Sequence, residues 1–513
     1  MNVYINDVAG FLPNKPVDNE HMEQILGMVG NKPSRSRNII LRNNGINARY
    51  YAIDPQTGRY THNNARLTAK AIQILITKNG ITLDKIDCIS CGTSSPDQLQ
   101  PAHGPMVHGE LGSPPCEVIT TAGVCTSGIT SMKYAYMSTA LGLSKRSIAT
   151  GSEFVSSFLR ANNFELEVNA NLDKLKKHPE LAFEKDFIRW MLSDGAGAAL
   201  ISDEPNTGRI SFRIDWIDNY SFAGDMPVCM YSGAIKKEDG SIKAWREADV
   251  PSDIWEQSYF SLKQDARILN KNIIPAIVER TLLPIAAKRC LKAEDITWFL
   301  PHYSSEYFRK KLYDSMTSNG FNIPYNRWFT NLSSKGNTGS ASMYIILEEL
   351  MYSNRLKKGD RLLCLIPESA RFSICYMHRA IYMKIKEVPQ EESILEGNRR
   401  ACYAEDENGR YVIVPSKGWE VEKIVNSQAH ENIRRVVEEA RHQVLAGKVS
   451  PLKYHMLRNQ MTVGMLASYT GLFCLRVYFH FKPYIFSRLN RSILKKYADA
   501  MNISIKELCE LPK

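Results

Sequence analysis

From Met1 to about Lys386 short β-like runs alternate with helical stretches, and several of those runs break directly into Gly- or Ser-rich turns. The alternation confines this part of the chain to a layered α/β fold, because a sheet apolar on both faces needs helices to cover it. Strands are expected at Val3–Ile5, Ile86–Ser90, Glu117–Ile119, Ser147–Gly151, Ala196–Ile201, Trp298–Pro301 and Arg361–Ile366. Helices are expected over Asn64–Lys78, Thr130–Leu143, Ile274–Ala287, Tyr307–Asn319 and Ser340–Ser353. The turns Cys91-Gly92-Thr93-Ser94-Ser95, Gly151-Ser152-Glu153 and Asp194-Gly195-Ala196-Gly197-Ala198 follow or open such strands. α/β proteins place their sites on turns of this kind.

The pattern changes after about Pro389. Gln390–Asn398 is charged, Tyr403–Val414 reads as a hairpin across Glu407-Asn408-Gly409, and the chain reads helical from Glu420 onward. With 513 residues two or more domains are expected. The boundary falls near residue 388, giving a domain over 1–388 with halves at about 1–205 and 206–388, and a second, mainly helical domain over 389–513. A helical insertion over 162–188 could cap a substrate tunnel or decorate the surface.

Apolar residues make up 44% and charged residues 23%, which suits a folded chain and not a disordered one. The 11 cysteines are scattered and odd in number, as expected of free thiols in a reducing compartment. No basic leader with an apolar core opens the sequence, so a cytoplasmic protein is expected. The apolar run Met461–Phe481 holds Arg476 and His480 near one end, so it is read as buried helices and not as a membrane span. A net charge of +11 implies an acidic partner without naming one.

Three segments carry chemistry. Thr120-Thr121-Ala122-Gly123-Val124-Cys125-Thr126-Ser127-Gly128 places a cysteine ahead of small residues that open a helix, where the helix N-terminus favours a thiolate. Phe299-Leu300-Pro301-His302-Tyr303 and Ser334-Lys335-Gly336-Asn337-Thr338-Gly339-Ser340-Ala341-Ser342 supply an imidazole and a carboxamide on later turns. Cys, His and Asn in that order are the parts of a thiolate acyl-transfer site. Each alone has a plainer reading, Cys125 as a core thiol and His302 as a satisfied core histidine.

On these residues, residues 1 to about 386 resemble the thiolase-like condensing enzymes, and most of all their beta-ketoacyl-acyl-carrier-protein synthase III branch. The resemblance implies a five-layered αβαβα core of two similar halves and a homodimer. It implies that Cys125 accepts an acyl group from a coenzyme A or acyl-carrier-protein thioester. His302 and Asn337 would then hold the carbonyl of a malonyl-type donor while carbon dioxide leaves, with no cofactor or metal. Two neutral donors aimed at that oxygen stabilise the charge that decarboxylation leaves there. Where the family has a glycine-rich loop, this chain reads Ile366-Pro367-Glu368-Ser369-Ala370-Arg371-Phe372-Ser373. Amides near Ser369 and Ala370 are expected to serve an oxyanion hole, and Arg371 or Phe372 to narrow the pocket. That loop and the added C-terminal domain suggest a specialised relative, similar to enzymes of aryl-polyene or dialkylresorcinol lipid synthesis.

Arg309, Lys310 and Lys311, on the helix after His302, are candidates for docking an acidic carrier protein, against the default of a solvated helix face. Cys88 and Cys91 form a C-x-x-C pair without a second pair at ligand spacing, and His103 and His108 have no matching cluster, so structural roles are expected. Residues 452–512 resemble a phage-repressor-type helix-turn-helix. Its recognition position reads Phe473-Cys474-Leu475-Arg476-Val477-Tyr478-Phe479-His480-Phe481, a poor reader of base edges but a good packing surface. The scaffold is therefore expected to pack on the first domain, on a partner or near the mouth of the acyl tunnel, and nucleic acid is disfavoured as partner. The reading is a decarboxylating condensing enzyme. Its alternatives are an enzyme that cyclises its product to a resorcinol or cyclohexanedione precursor, and an acyl-binding regulator or scaffold with a DNA-binding domain.

Overall fold

The computed structural model describes residues 1–34, 36–165, 186–207, 209–237, 239–381, 400–405, 411–416 and 435–510. The chain divides into two compact units, Met1–Met383 and Lys384–Lys513.

The first unit is built on nine strands: β1 (Tyr4–Phe11), β2 (Cys88–Thr93), β3 (Glu117–Ala122), β4 (Arg146–Glu153), β5 (Gly195–Ser202), β6 (Phe212–Ser221), β7 (Trp298–Pro301), β8 (Arg361–Glu368) and β9 (Ser373–Ile381). They hydrogen-bond in the order β7-β8-β9-β6-β1-β5-β4-β2-β3. The junction between β1 and β6 is a short antiparallel seam, Tyr4↔Arg213 and Ile5↔Phe212. Outward from the seam the two sides repeat each other. β1 pairs antiparallel with β5, β5 antiparallel with β4, and β4 parallel with β2. Likewise β6 pairs antiparallel with β9, β9 antiparallel with β8, and β8 parallel with β7. The first side ends in β3, parallel to β2. On the second side only a parallel bridge, Phe299↔Trp328, stands in the corresponding place.

Helices fill three layers around these halves. α1 (Asn64–Asn79) covers the outer face of the first half, where Leu67, Ile72 and Leu75 pack with Ile89, Ile148 and Leu200. Its ends follow the capping rules: the Asn63 side chain accepts the Arg66 N–H, and Gly80 closes it in a left-handed turn. α2 (Cys125–Ala140) and α5 (Ser342–Met351) lie between the halves, sharing one core with strand residues of both, such as Ala149 and Ile201, Cys364 and Met377. α3 (Ala266–Ile277) and α4 (Tyr307–Ser318) cover the outer face of the second half. The layers therefore run α, β, α, β, α.

Strand alternation decides which layer each residue joins. In β8, Leu363 and Leu365 pack outward with Ile273 and Phe308, while Leu362, Cys364 and Ile366 pack inward with Met132 and Tyr344. A one-residue slip would exchange the two sets.

All seven expected strands form. β6 and β9 were not expected, because polar residues interrupt their apolar runs. The structure shows how those residues are accommodated. Asp215 accepts from the Arg213 guanidinium at 2.8 Å and lies 2.7 Å from Nδ1 of His378 on the neighbouring strand.

The expected insertion over 162–188 lies mostly outside the described residues. Arg400–Glu405 and Tyr411–Ser416 pair antiparallel as a hairpin; its turn at Glu407-Asn408-Gly409, the charged Gln390–Asn398 stretch and the first expected helical residues after Glu420 lie outside the described residues. In the second unit, α6 (Pro451–Arg458), α7 (Val463–Thr470), α8 (Cys474–His480), α9 (Arg491–Ala500) and α10 (Ile505–Cys509) enclose Leu452, Leu466, Val477, Tyr497 and Leu508. The Thr462 hydroxyl caps α7, and left-handed Gly471 turns the chain into α8, a helix-turn-helix arrangement. Among the described residues no helix is long and apolar enough to cross a membrane.

Candidate active site

Cys125 opens α2 immediately after β3, so the strand-to-helix turn sets the position of its thiol. His302 follows β7, and its backbone N–H donates to the Leu365 carbonyl of β8 at 2.8 Å. Asn337 sits on the loop before α5, where its N–H donates to the Met191 carbonyl at 3.0 Å and its carbonyl accepts the Ser193 N–H at 2.8 Å. This loop reaches α2 because two positions lack side chains. A Cβ built on Gly128 or on Gly151 would lie 2.2 Å from the Ser340 carbonyl oxygen. Glycine there is what lets the third segment close on the first.

The three side chains line one cavity of about 300 Å³. Its wall includes polar Glu153, Gln264 and Ser369 and apolar Met191, Leu269, Ile273, Ile277, Phe308 and Leu312. A chamber with reactive side chains in a largely apolar wall fits an acyl chain.

The electrostatics differ from the sequence expectation at the nucleophile. A thiolate favoured by the helix N-terminus was expected; instead burial, reinforced by Glu368 and Glu153, pushes the Cys125 thiol well above its ordinary value. Glu368, which adds to the effect of burial, stands at the end of β8. One of its carboxylate oxygens accepts the backbone N–H groups of Val124 at 3.0 Å and Thr126 at 3.3 Å, and also the Thr126 hydroxyl. The positive end of the helix thus faces a carboxylate before any substrate arrives. The resting cysteine is a thiol.

Glu153 is the second buried carboxylate. It accepts the hydroxyls of Ser94 at 2.6 Å and Ser95 at 2.8 Å and the Ser340 N–H at 3.1 Å. Burial raises its pKa and these hydrogen bonds oppose the rise. Burial also lowers His302 to about 4, so its imidazole is neutral near neutral pH. The Asn337 Oδ1 accepts the Gly339 N–H at 2.9 Å, which leaves its NH₂ as the polar group offered to the cavity.

Of the loop residues expected at the pocket, only Ser369 lines it, with its hydroxyl accepting from Gln264 Nε2 at 2.7 Å. The Ala370 carbonyl accepts the Cys229 N–H at 2.8 Å. Arg371 does not narrow the pocket: it is exposed, and its Nε–H donates to the Met226 carbonyl at 3.1 Å. Phe372 does not either; it adopts a left-handed backbone and is buried in the core of the second half. The residue that does reach the nucleophile from this loop is Glu368. Its signal was a carboxylate standing where the resembling family has glycine.

The docking candidates lie on consecutive positions of α4. Arg309 pairs with Glu306 at 3.5 Å, Lys310 with Asp314 at 2.5 Å, and the Lys311 ammonium lies 3.9 Å from the Tyr307 ring centroid. Cys88 and Cys91 are buried in β2, where burial pushes the Cys91 thiol up to about 12.

Comparison with known proteins shows similarity to condensing enzymes over the first unit. Residues 286–365, which include His302 and Asn337, match the family model described as 3-oxoacyl-[acyl-carrier-protein] synthase III C terminal. The chain is 25% identical over 369 residues to beta-ketoacyl-[acyl-carrier-protein] synthase III of Clostridium perfringens strain SM101, covering 69% of this chain and 91% of that protein. It is 23% identical over 361 residues to the synthase III of Xanthomonas oryzae pv. oryzae, covering 70% and 92%. Among solved structures, Xanthomonas campestris OleA with bound lauric acid and lauroyl-CoA superposes with a TM-score of 0.54 at 19% identity, covering 74% of this chain and 99% of OleA. The tetronic acid condensing enzyme AbyA1 gives a TM-score of 0.55 at 17% identity, covering 74% and 99%.

Proposed function

For this thiolase-like, synthase III-like condensing enzyme, we propose a decarboxylating Claisen condensation with Cys125 as the acyl-accepting nucleophile. The observation that carries the reading is the convergence of Cys125, His302 and Asn337 on one largely apolar cavity. In the first half-reaction the Cys125 sulfur attacks an acyl thioester and expels its thiol. As the S–C bond forms and the thioester C–S bond breaks, the Cys125 proton passes to the lone pair of the neutral His302 imidazole and from there to the departing thiolate, which leaves His302 neutral for the second step. In the second half-reaction a malonyl-type carrier-protein thioester enters. His302 and Asn337 donate to its carbonyl oxygen while carbon dioxide departs, and the resulting carbanion attacks the acyl-cysteine, releasing the sulfur.

Intact-mass spectrometry tests both steps. An acyl thioester is expected to add its acyl mass at Cys125, and malonyl carrier protein then to remove it with formation of a β-ketoacyl product. An adduct that forms on the Cys125→Ser protein, or an adduct inert to malonyl carrier protein, defeats the proposal. Carrier delivery has its own check. Arg309→Glu with Lys310→Glu is expected to raise KM several-fold for carrier-borne substrate and to spare small thioester mimics, the scale of a few exposed charge pairs.

A second reading is favoured by one observation, the two buried carboxylates beside the nucleophile. Decarboxylation needs no base, whereas removing the α-proton of a β-ketoacyl donor does. On this reading the site condenses such a donor and cyclises the product toward a cyclohexanedione or resorcinol precursor. Product mass separates the two.

A further inference from the structure

We propose that the outer face of α8 in the C-terminal unit binds an anionic lipid surface. The inner face of this helix is fully used by the fold. Val477 and His480 are buried, and His480 Nδ1 lies 2.8 Å from the Tyr497 hydroxyl. On the other side Leu475, Tyr478 and Phe479 are 70%, 60% and 48% exposed, and Phe473, just before the helix, is 85% exposed. Leu475 stands three and four residues before Tyr478 and Phe479, and Lys482 four and three residues after them, which places them on one face. Tyr484, two residues past Lys482, is 65% exposed. Side chains of this size do not stay in water for the sake of the domain's own core.

Charge identifies the occupant. Residues 451–498 carry eight Lys and Arg side chains and not one Asp or Glu. The cations stand beside the exposed rings: the Lys482 ammonium is 5.7 Å from the Phe479 ring centroid, and the Arg488 guanidinium is 4.0 Å from that of Tyr484. Large apolar side chains flanked by cations, with no carboxylate within residues 451–498 and Asp499, Glu507 and Glu510 beyond them, are what an interfacial helix presents to an anionic bilayer. The rings enter the headgroup boundary and the cations meet the phosphates. In the helix-turn-helix arrangement α8 occupies the position that would enter the major groove, yet among Leu475, Tyr478 and Phe479 only the Tyr hydroxyl could hydrogen-bond a base edge. The proposal does not depend on the reaction assigned to the first unit's cavity.

The test uses the full-length protein and sedimented vesicles. The protein is expected to pellet with vesicles of equimolar phosphatidylglycerol and phosphatidylcholine, to remain in solution with pure phosphatidylcholine, and to be released by salt. Phe473→Ser with Phe479→Ser is expected to weaken binding by about tenfold or more, the scale of removing two buried rings. Lys482→Glu with Arg488→Glu, which leaves the apolar face intact, is expected to weaken it as well. Leu475→Trp is expected to gain a blue-shifted emission component, relative to the parent protein, when anionic vesicles are added. Three outcomes overturn the proposal. The first is no association with anionic vesicles by the parent protein. The second is tight, Phe479-dependent binding of a single-stranded oligonucleotide without vesicle binding. The third is self-association that Phe479→Ser abolishes, again without vesicle binding.

Discussion

The two halves of the condensing unit repeat one strand order, yet their central helices open on different chemistry. α2 begins with Cys125 directly after a full edge strand, β3. α5 is preceded by the Asn337 loop, and only the bridge at Trp328 corresponds to that edge strand. One helix start presents a thiol; the other presents a carboxamide to the same cavity. The lesson is that a duplicated scaffold delivers two turns to one place, and on the proposed reaction residue type alone then divides the labour. The halves also exchange carboxylates, unequally. Glu368, from the second half, accepts two amides at the opening of α2. Glu153, from the first half, accepts one amide in return, that of Ser340, two residues before α5 begins.

The sharpest way to break this division of labour is to remove each half's contribution separately. Cys125→Ala is expected to lose acylation altogether, about a thousandfold or more in turnover. Asn337→Ala is expected to keep a full burst of acyl-enzyme while the condensation step falls by about a hundredfold or more, the usual loss of one oxyanion donor. Rapid-quench mass spectrometry reads both. Equal loss of acylation in the two variants would show that the halves do not divide the reaction.

A second comparison concerns two buried histidines, one per half. His103, within 3.2 Å of the Thr68 hydroxyl and 3.1 Å of the Ser152 hydroxyl, is lowered by burial to about 4, as is His302. Both are neutral in the folded protein while the unfolded chain takes up protons near pH 6.5. Stability is therefore full above pH 6.5 and is lost as the pH falls toward 4. The loss reaches about 3 kcal/mol per histidine, because displacing a pKa by one pH unit is worth about 1.36 kcal/mol. Urea unfolding at pH 7 and pH 4.5 should show that loss, and His103→Gln or His302→Gln should each flatten the pH dependence. If His302→Gln leaves the dependence unchanged, its imidazole is not held neutral by burial.

How much of this was legible in the sequence follows from the same contrast. The seven strands with clean apolar runs were readable, and the three motif residues could be singled out because each sits in a turn whose chemistry is local: after a strand for Cys125 and His302, and after a short helix for Asn337. β6 and β9 were not, since Arg213, Asp215 and His378 satisfy one another across strands, a relation that no window of sequence contains. The loop Ser369–Phe372 was misjudged for a related reason. Which of four successive residues faces a pocket depends on where the strand ends and how the turn is twisted, and here β8 runs on to Glu368. The rise of the Cys125 thiol was also out of reach, because burial and the carboxylates that add to it come from segments distant in the chain and adjacent only in space.

Glu368 gives the finest test of how far the two helix starts differ, because its effect is on protonation and not on the presence of a catalytic group. Glu368→Gln keeps an acceptor for the amides of Val124 and Thr126 and removes the charge. Burial continues to oppose ionisation, but one of the two carboxylates doing so is gone. The Cys125 thiol is then expected to titrate at lower pH. At any pH below its midpoint, lowering that midpoint by one pH unit raises the thiolate fraction about tenfold. Alkylation by iodoacetamide, followed by mass spectrometry at Cys125 across a pH series, measures it directly. Glu368→Gly removes the acceptor together with the charge. If both variants move the profile, the carboxylate's charge holds the thiol protonated; if only the glycine variant does, the packing of the loop is responsible. An unmoved profile in both would mean that desolvation alone sets the resting state. The two helix starts would then differ only in the residues they carry.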